Sequence, residues 1–249
     1  MTNDFNLYYK IISVTKNILI TTIKLYITHI YYKLLQIYII LVKRPSYNGK
    51  LTYLGTKYGG WFVPLNLLNQ DSICYSFGIG EDVSFDISLI EQINCYVYGF
   101  DPTPRSIEFV HAQFSTKFPK FIFHPIGIWS ADEEMKFYEP KISEHVSHSI
   151  TNLQNTKNYF IANCKKLSTI MKELNHSSIN LLKMDVEGAE MFVIPNIIEE
   201  SIQIDIINVE LDRPFSFRKV LKLIKQMENE YTLIKMNFWD LTFISNRFV

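Results

Sequence analysis

Glycine and proline are scarce in this chain of 249 residues, nine of each, and cysteine is scarcer still at three. So few glycines exclude a collagen-like or glycine-rich low-complexity chain. The cysteines, Cys74, Cys95 and Cys164, are odd in number and match no CxxC or zinc spacing, which excludes a disulfide framework. They read as buried free thiols of a protein in a reducing compartment, the cytoplasm. Net charge is absent as well: 25 Lys and Arg balance 25 Asp and Glu. That removes the global electrostatic case for a nucleic-acid partner, and none is expected. There are no internal repeats and no low-complexity tracts. What is present is apolar residue, 47% of the chain, enough for a large buried core. The length fits one α/β domain with extra sequence at one end.

The extra sequence is N-terminal. Ile18 to Val42 is long enough to span a bilayer, but Lys24, His29, Lys33 and Gln36 interrupt it. On a helix, Thr22, His29, Lys33 and Gln36 share one side while Ile and Leu dominate elsewhere, and Lys43, Arg44 and Pro45 stop the helix. Three readings stay open. The segment is a helix packed on the domain or a partner, or an interfacial helix in a membrane surface, or a spanning signal-anchor in which a central Lys costs about 3 kcal/mol. The leading residues are not strongly basic and no small-residue cleavage site follows, so a removed signal peptide is not expected. The expected organisation is a helical segment over 1–44 and a catalytic domain over 45–249, cytoplasmic and membrane-associated if residues 18–42 meet a membrane surface. Oligomeric state has no signal in the sequence.

After a linker with short strands or turns over 45–71, an alternation of strands and helices begins. Strands are predicted at 72–77, 95–100, 121–126, 179–184 and 204–209, and a final pair at 231–236 and 241–245. Helices are predicted at 83–93, 106–116, 166–174, from Ala189, and at 217–228. The stretch 127–158 reads as irregular, with a local β-hairpin around Met135–Tyr138. Alternation of this kind builds a mostly parallel sheet with helices on both faces. The last two strands are joined by a few residues and must pair antiparallel. Ligands of such sheets bind beyond the carboxyl ends of the strands.

The residues at those ends are acidic or glycine. Gly78, Gly80, Glu81 and Asp82 follow the first strand, Asp101 the second, Asp185 and Glu187 the fourth, Glu210 and Asp212 the fifth. A glycine turn lets a ligand approach the backbone, and an acid about 20 residues later is placed for ribose hydroxyls. A nucleoside ligand follows. The dinucleotide fingerprint is incomplete, because Val83 stands where it has Gly or Ala. An acidic loop is also a poor cradle for pyrophosphate and suits a cationic ligand end better. Taken alone, the glycines are equally a tight strand–helix turn.

The stretches YSFGIGEDVSFD (75–86), VYGFDPTP (97–104) and LLKMDVEGAE (181–190) together resemble the FkbM-type family of S-adenosylmethionine-dependent methyltransferases. The closest branch has a first motif of the form SFG-x-GED-x-SFD. The resemblance implies an α/β, Rossmann-like methyltransferase fold: a seven-stranded, mostly parallel sheet ending in an antiparallel hairpin, here with an N-terminal helical extension. It implies S-adenosyl-L-methionine as cofactor. Gly78, Gly80, Glu81 and Asp82 would shape its loop, Asp101 with Pro102 would hold its ribose, and Ile126-Gly127 would lie near its adenine. Asp185 and Glu187 would face the transferred methyl group, with Glu210 across the cleft. Many relatives have Asp at the position of Ser76, Gly at Asp82 and Glu at Asp101.

In-line methyl transfer from a sulfonium is mainly a problem of alignment, aided by a carboxylate that takes the acceptor's proton. Asp185, Glu187 and Glu210 are the candidates. Asp185 and Glu210 are also hard oxygen ligands that could share a divalent metal, though no metal site is predicted. Glu187 and Glu190 have a structural reading too, as acids at a helix N-terminus. His124 reads as a satisfied structural histidine, His145 and His148 as loop residues. The 139–158 loop is a candidate lid, and Trp61, Trp129 and Trp239 are core by default. The function expected is O-methylation of a hydroxyl on a glycan, lipid-linked or small-molecule acceptor. The alternatives are a nicotinamide-dependent oxidoreductase, or a catalytically silent nucleoside-binding protein of the same fold.

Overall fold

The computed structural model describes residues 2–114, 117–141 and 148–249. It divides into two units, 1–44 and 45–249. The first is one helix, α1 (Thr2–Lys43), longer than the apolar stretch that predicts it. Its Leu19–Lys43 portion is long and apolar enough to cross a membrane by length and composition.

The second unit opens with a small hairpin, β1 (Thr52–Leu54) and β2 (Trp61–Val63). The alternation follows as β3 (Ile73–Phe77), α2 (Ser84–Ile93), β4 (Tyr96–Phe100), α3 (Pro104–Gln113) and β5 (Phe121–His124). Three strands come next: β6 (Gly127–Ile128), β7 (Glu133–Tyr138) and β8 (Tyr159–Lys165). The chain then runs through α4 (Leu167–Glu173), β9 (Ile179–Met184), α5 (Glu190–Glu199), β10 (Ile204–Glu210), α6 (Phe217–Met227), β11 (Tyr231–Asn237) and β12 (Asp240–Ser245).

Seven of these strands form one sheet in the order β11-β12-β10-β9-β3-β4-β5. The five from β5 to β10 are parallel, and β12 lies antiparallel between β10 and β11. This is the Rossmann-like methyltransferase order. The central strands are covered on both faces, so their side chains are apolar almost without alternation. Cys74, Val97, Leu181 and Ile206 are all fully buried. Helices cover the faces with one apolar stripe each. In α6, Val220, Leu223, Ile224 and Met227 are buried at helical spacing, and the Ser216 hydroxyl caps the helix by accepting from the Lys219 N–H at 3.3 Å. α2 stops where Asn94 turns into the left-handed region at φ 60°.

Three expectations are corrected. Met135–Tyr138 does not form a local hairpin: β7 pairs with the distant β8, from Glu133↔Cys164 to Tyr138↔Tyr159, and β6 completes a three-stranded sheet. Of the β8 side chains only Cys164 is buried, and although exposure alternates along the strand, the sequence YFIANCK does not alternate apolar with polar residues. The third central strand ends at His124, where Pro125 has no N–H to continue the ladder. α3 begins earlier than predicted, with Pro104 in its first turn. The cysteines are free and buried, Cys74 Sγ lying 3.7 Å from Cys95 Sγ.

Candidate active site

The carboxyl ends of β3, β4, β9 and β10 open on one cleft of about 300 Å³. Its floor starts at Gly78. The Gly78 N–H donates to the Phe100 carbonyl at 3.0 Å and the Asp185 N–H to the Phe77 carbonyl at 3.1 Å, which ties the first, second and fourth strand ends together. A Cβ on Gly78 would stand 1.7 Å from the Asp185 carbonyl oxygen, and φ is +79°. No side chain fits there, so the glycine is required by the close approach of the two motif loops.

Asp101 is buried at the end of β4. Its Oδ2 accepts the Gly80 N–H at 2.9 Å, and its Oδ1 accepts the Thr103 N–H at 2.8 Å and the Thr103 hydroxyl at 2.6 Å. The carboxylate thus braces the glycine turn against the α3 entry. Oδ2 keeps an acceptor position for a ligand hydroxyl. Glu81 sits at the rim in an ion pair with Arg105 at 2.8 Å. Asp82 accepts the Ser84 N–H at 2.8 Å and the Thr56 hydroxyl at 2.6 Å. Burial raises the Asp82 pKa, but these bonds outweigh it and hold the carboxyl below its usual range.

On the opposite wall stand Asp185, Glu187 and Glu210. Glu210 is pushed up to about 8, first by burial and then by the charges of Asp185, Asp240 and Glu187. Asp240 rises to about 6, again through burial and then Asp185. Lys183 is the one buried cation among the described residues of the cleft wall. Its Nζ donates to the Gly78 carbonyl at 2.6 Å and lies 3.6 Å from Asp185 Oδ2. Asp86, fully buried on α2, is raised to about 6 by burial while the Lys183 charge pulls the other way. Asp86 Oδ1 has no hydrogen-bond partner.

Behind the wall, Glu190 is fully buried and accepts the Gly188 N–H at 2.9 Å and the Asp212 N–H at 3.3 Å. It rises to about 7 through burial, which these bonds partly offset. The residue braces the 185–189 turn, as its structural reading expects. The turn is also held from the 139–158 loop, where the Ser149 hydroxyl donates to the Glu187 carbonyl at 2.6 Å.

The cleft brings together Gly78, Gly80, Glu81, Asp82, Asp101, Pro102, Gly127, Asp185, Glu187 and Glu210. Ile126 does not line it; Ile128 does, because the chain turns after Pro125 and enters β6. Reading the sequence missed Lys183, Asp86 and Tyr58. Lys183 had a signal, a lone cation inside the apolar run LLKM. His148 lines the cleft with its ring edge-on to Phe160, while His145 lies outside the described residues. His124 stacks on Phe100 at 5.1 Å, but its Nε2 has no partner, so it is packed rather than satisfied. Trp61 is buried, Trp129 packs on Phe192 and Trp239 on Phe215. Among the described residues no group of three or more His, Cys, Asp or Glu is arranged to hold a metal ion.

The cleft fits S-adenosylmethionine by its donor set. The one open acceptor position on the buried Asp101 suits a ribose hydroxyl, and a wall of carboxylates with an orphaned Asp86 oxygen suits a sulfonium cation.

The methyltransferase FkbM domain model matches residues 61–231. The probable methyltransferase-like protein 24 of Homo sapiens is 28% identical over 135 residues, 54% of this chain and 30% of that one. Its counterpart from Rattus norvegicus is 29% identical over 172 residues, 66% of this chain and 40% of that one. The chain thus spans less than half the length of these relatives. Among solved structures, the Methanococcus jannaschii fibrillarin pre-rRNA processing protein overlays with a TM-score of 0.42 at 9% identity, covering 80% of this chain and 83% of that one. With the family model laid over most of the 45–249 unit, and with the cleft built from its motifs, the chain belongs to the FkbM methyltransferase family, a family that uses S-adenosylmethionine.

Proposed function

We propose that this chain transfers a methyl group from S-adenosylmethionine to a hydroxyl of a glycan, lipid-linked or small-molecule acceptor. The observation that carries the reading is the meeting of the glycine turn, Asp101 and Asp185 in one cleft at the carboxyl ends of four parallel strands. Family membership supports methyl transfer over nicotinamide chemistry, and so does an acidic loop that would repel a pyrophosphate.

Bound there, S-adenosylmethionine would supply an electrophilic methyl group on a positively charged sulfur. The protein's part is to align and to move a proton. Gly78 and Gly80 give the backbone its close approach, Glu81 and Asp82 flank it, and Asp101 with Pro102 and Gly127 encloses the nucleoside. Glu210, pushed up to about 8 by burial and its acidic neighbours, holds its own proton at neutral pH and is the carboxyl we assign as a hydrogen-bond donor to the acceptor. Asp185, anchored by Lys183, is the carboxylate we assign to take the acceptor's proton, with Glu187 beside it.

Exposed apolar residues along α1, among them Leu25, Tyr26, Leu34 and Leu41, support a membrane surface as the place where the acceptor is met. Transfer of labelled methyl from S-adenosylmethionine to a panel of sugars, lipid alcohols and phenols tests the reaction. The reading expects label in a hydroxyl ether, lost in Asp185→Asn. Label on nitrogen or carbon, or full transfer by the variant, would contradict it.

A further inference from the structure

The hairpin turn between β1 and β2 takes no part in the reaction as drawn, yet it is bolted to the cofactor loop. The Thr56 hydroxyl donates to Asp82 Oδ2 at 2.6 Å and accepts the Tyr58 N–H at 3.2 Å and the Gly59 N–H at 3.0 Å. The Thr56 N–H donates to the Ser84 hydroxyl at 2.8 Å, and the Ser84 N–H returns to Asp82 Oδ1 at 2.8 Å. A Cβ on Gly59 would meet Asp82 Oδ2 at 2.8 Å, so the turn lies directly against that carboxylate. A turn fixed this closely carries at its tip Tyr58, which is 85% exposed and also lines the cleft. Ordering a side chain usually accompanies burial. Here the backbone is pinned while the ring is left in solvent, over the wall formed by Asp185, Glu187 and Glu210.

We propose that Tyr58 is the ring against which the methyl acceptor rests, that Thr56 and Asp82 are positioning residues which latch it over the cleft, and that the acceptor bound there is an uncharged polyhydroxyl compound. This rests on the methyltransferase reading and adds the acceptor side to it. The chemistry follows from the wall. An anionic acceptor would face like charges. An amine beside carboxylates is held as its ammonium form and has no lone pair to attack with. A hydroxyl loses nothing there, since carboxylates accept its hydrogen bond, and an amphipathic phenol ring packs on the carbon face of a polyol while its hydroxyl end stays polar. Among the described residues only Lys183 offers a buried positive charge on that wall, and it is spent on the Gly78 carbonyl and Asp185.

The test uses the full chain loaded with S-adenosylhomocysteine, with methyl β-glucoside and methyl β-glucuronide as matched neutral and anionic probes followed by saturation-transfer NMR. The inference expects the glucoside to bind wild type at least tenfold tighter than the glucuronide. Tyr58→Ala should weaken the glucoside at least tenfold and Tyr58→Phe less than threefold. Thr56→Val, whose side chain does not line the cleft, should weaken the glucoside several-fold while leaving S-adenosylhomocysteine affinity within threefold. Equal binding of the two probes, binding of neither to the loaded protein, or a glucoside affinity indifferent to Tyr58→Ala would overturn the inference and leave the methyltransferase reading standing. Failure of the folded wild type to bind S-adenosylhomocysteine would sink both.

Discussion

Glu210 shows how one residue's surroundings set its chemistry. Its pKa climbs from an ordinary 4.5 to about 8 because burial and three acidic neighbours disfavour its charge. The folded state therefore holds a proton that the unfolded state releases, and stability falls as pH rises between those two values. Glu210→Gln removes this penalty. It should leave the melting temperature near pH 4 unchanged and raise it at pH 8 by at least ~2–4 °C, the shift for ~1 kcal/mol in a chain this size. An equal shift at both pH values would show that the gain is packing and not charge. A second outcome follows from the same wall. S-adenosylmethionine carries one more positive charge than S-adenosylhomocysteine, so its binding should expel a proton that the homocysteine product does not. Calorimetry at pH 7 in buffers of different ionisation enthalpy reads this directly, and identical proton release by the two ligands would rule it out.

Lys183 has a different job at the same scale, tying the β3 turn to Asp185. Lys183→Met leaves the partly exposed Asp185 carboxylate without its partner and the Gly78 carbonyl without a donor. A loss of ~1–3 kcal/mol in stability, chiefly from the unsatisfied carbonyl, is expected in denaturant titration, and a loss under ~0.5 kcal/mol would mean the bridge is incidental.

Among the elements, the 185–189 turn is braced from two sides. Glu190 accepts two backbone N–H groups from inside, and Ser149 donates from the loop outside. Glu190→Ala orphans the Asp212 N–H, while the Gly188 N–H keeps Asp212 Oδ2 at 3.1 Å, and should cost ~1–3 kcal/mol, with the melting temperature as readout; a loss below ~0.5 kcal/mol would show that water replaces the carboxyl. The central strands and their order of helices were legible in the sequence, because buried parallel strands such as INLLKM read as apolar runs bounded by turn residues. Asp101, Asp185, Glu187 and Glu210 were legible for the same reason, since each stands at or just after a strand end, whereas Asp86 on α2 was not. The β6-β8-β7 sheet was not, since β8 buries only Cys164 and pairs with a strand some twenty residues away. Tyr58 was not either, because its place depends on a hairpin turn folding back onto α2, and no local pattern encodes that contact. Asp82 likewise reads as a cofactor-loop residue in sequence, while its hydrogen bonds go to Thr56 and Ser84.

At the scale of the whole molecule, we propose that residues 45–249 carry binding and chemistry and that α1 is an anchor. A protein lacking residues 1–44 should bind S-adenosylhomocysteine with unchanged affinity but no longer float with anionic lipid vesicles. Equal flotation of both forms would remove the membrane from the account. The central claim is that the cleft at the strand ends is a site for S-adenosylmethionine organised by Asp101. Calorimetric titration of wild type and Asp101→Ala with S-adenosylmethionine tests it most directly. The account predicts saturable one-to-one binding by wild type and at least a tenfold loss, ~1.4 kcal/mol, in the variant. Equal affinity in the two proteins, or no binding by wild type whose far-ultraviolet circular dichroism shows it folded, would contradict it.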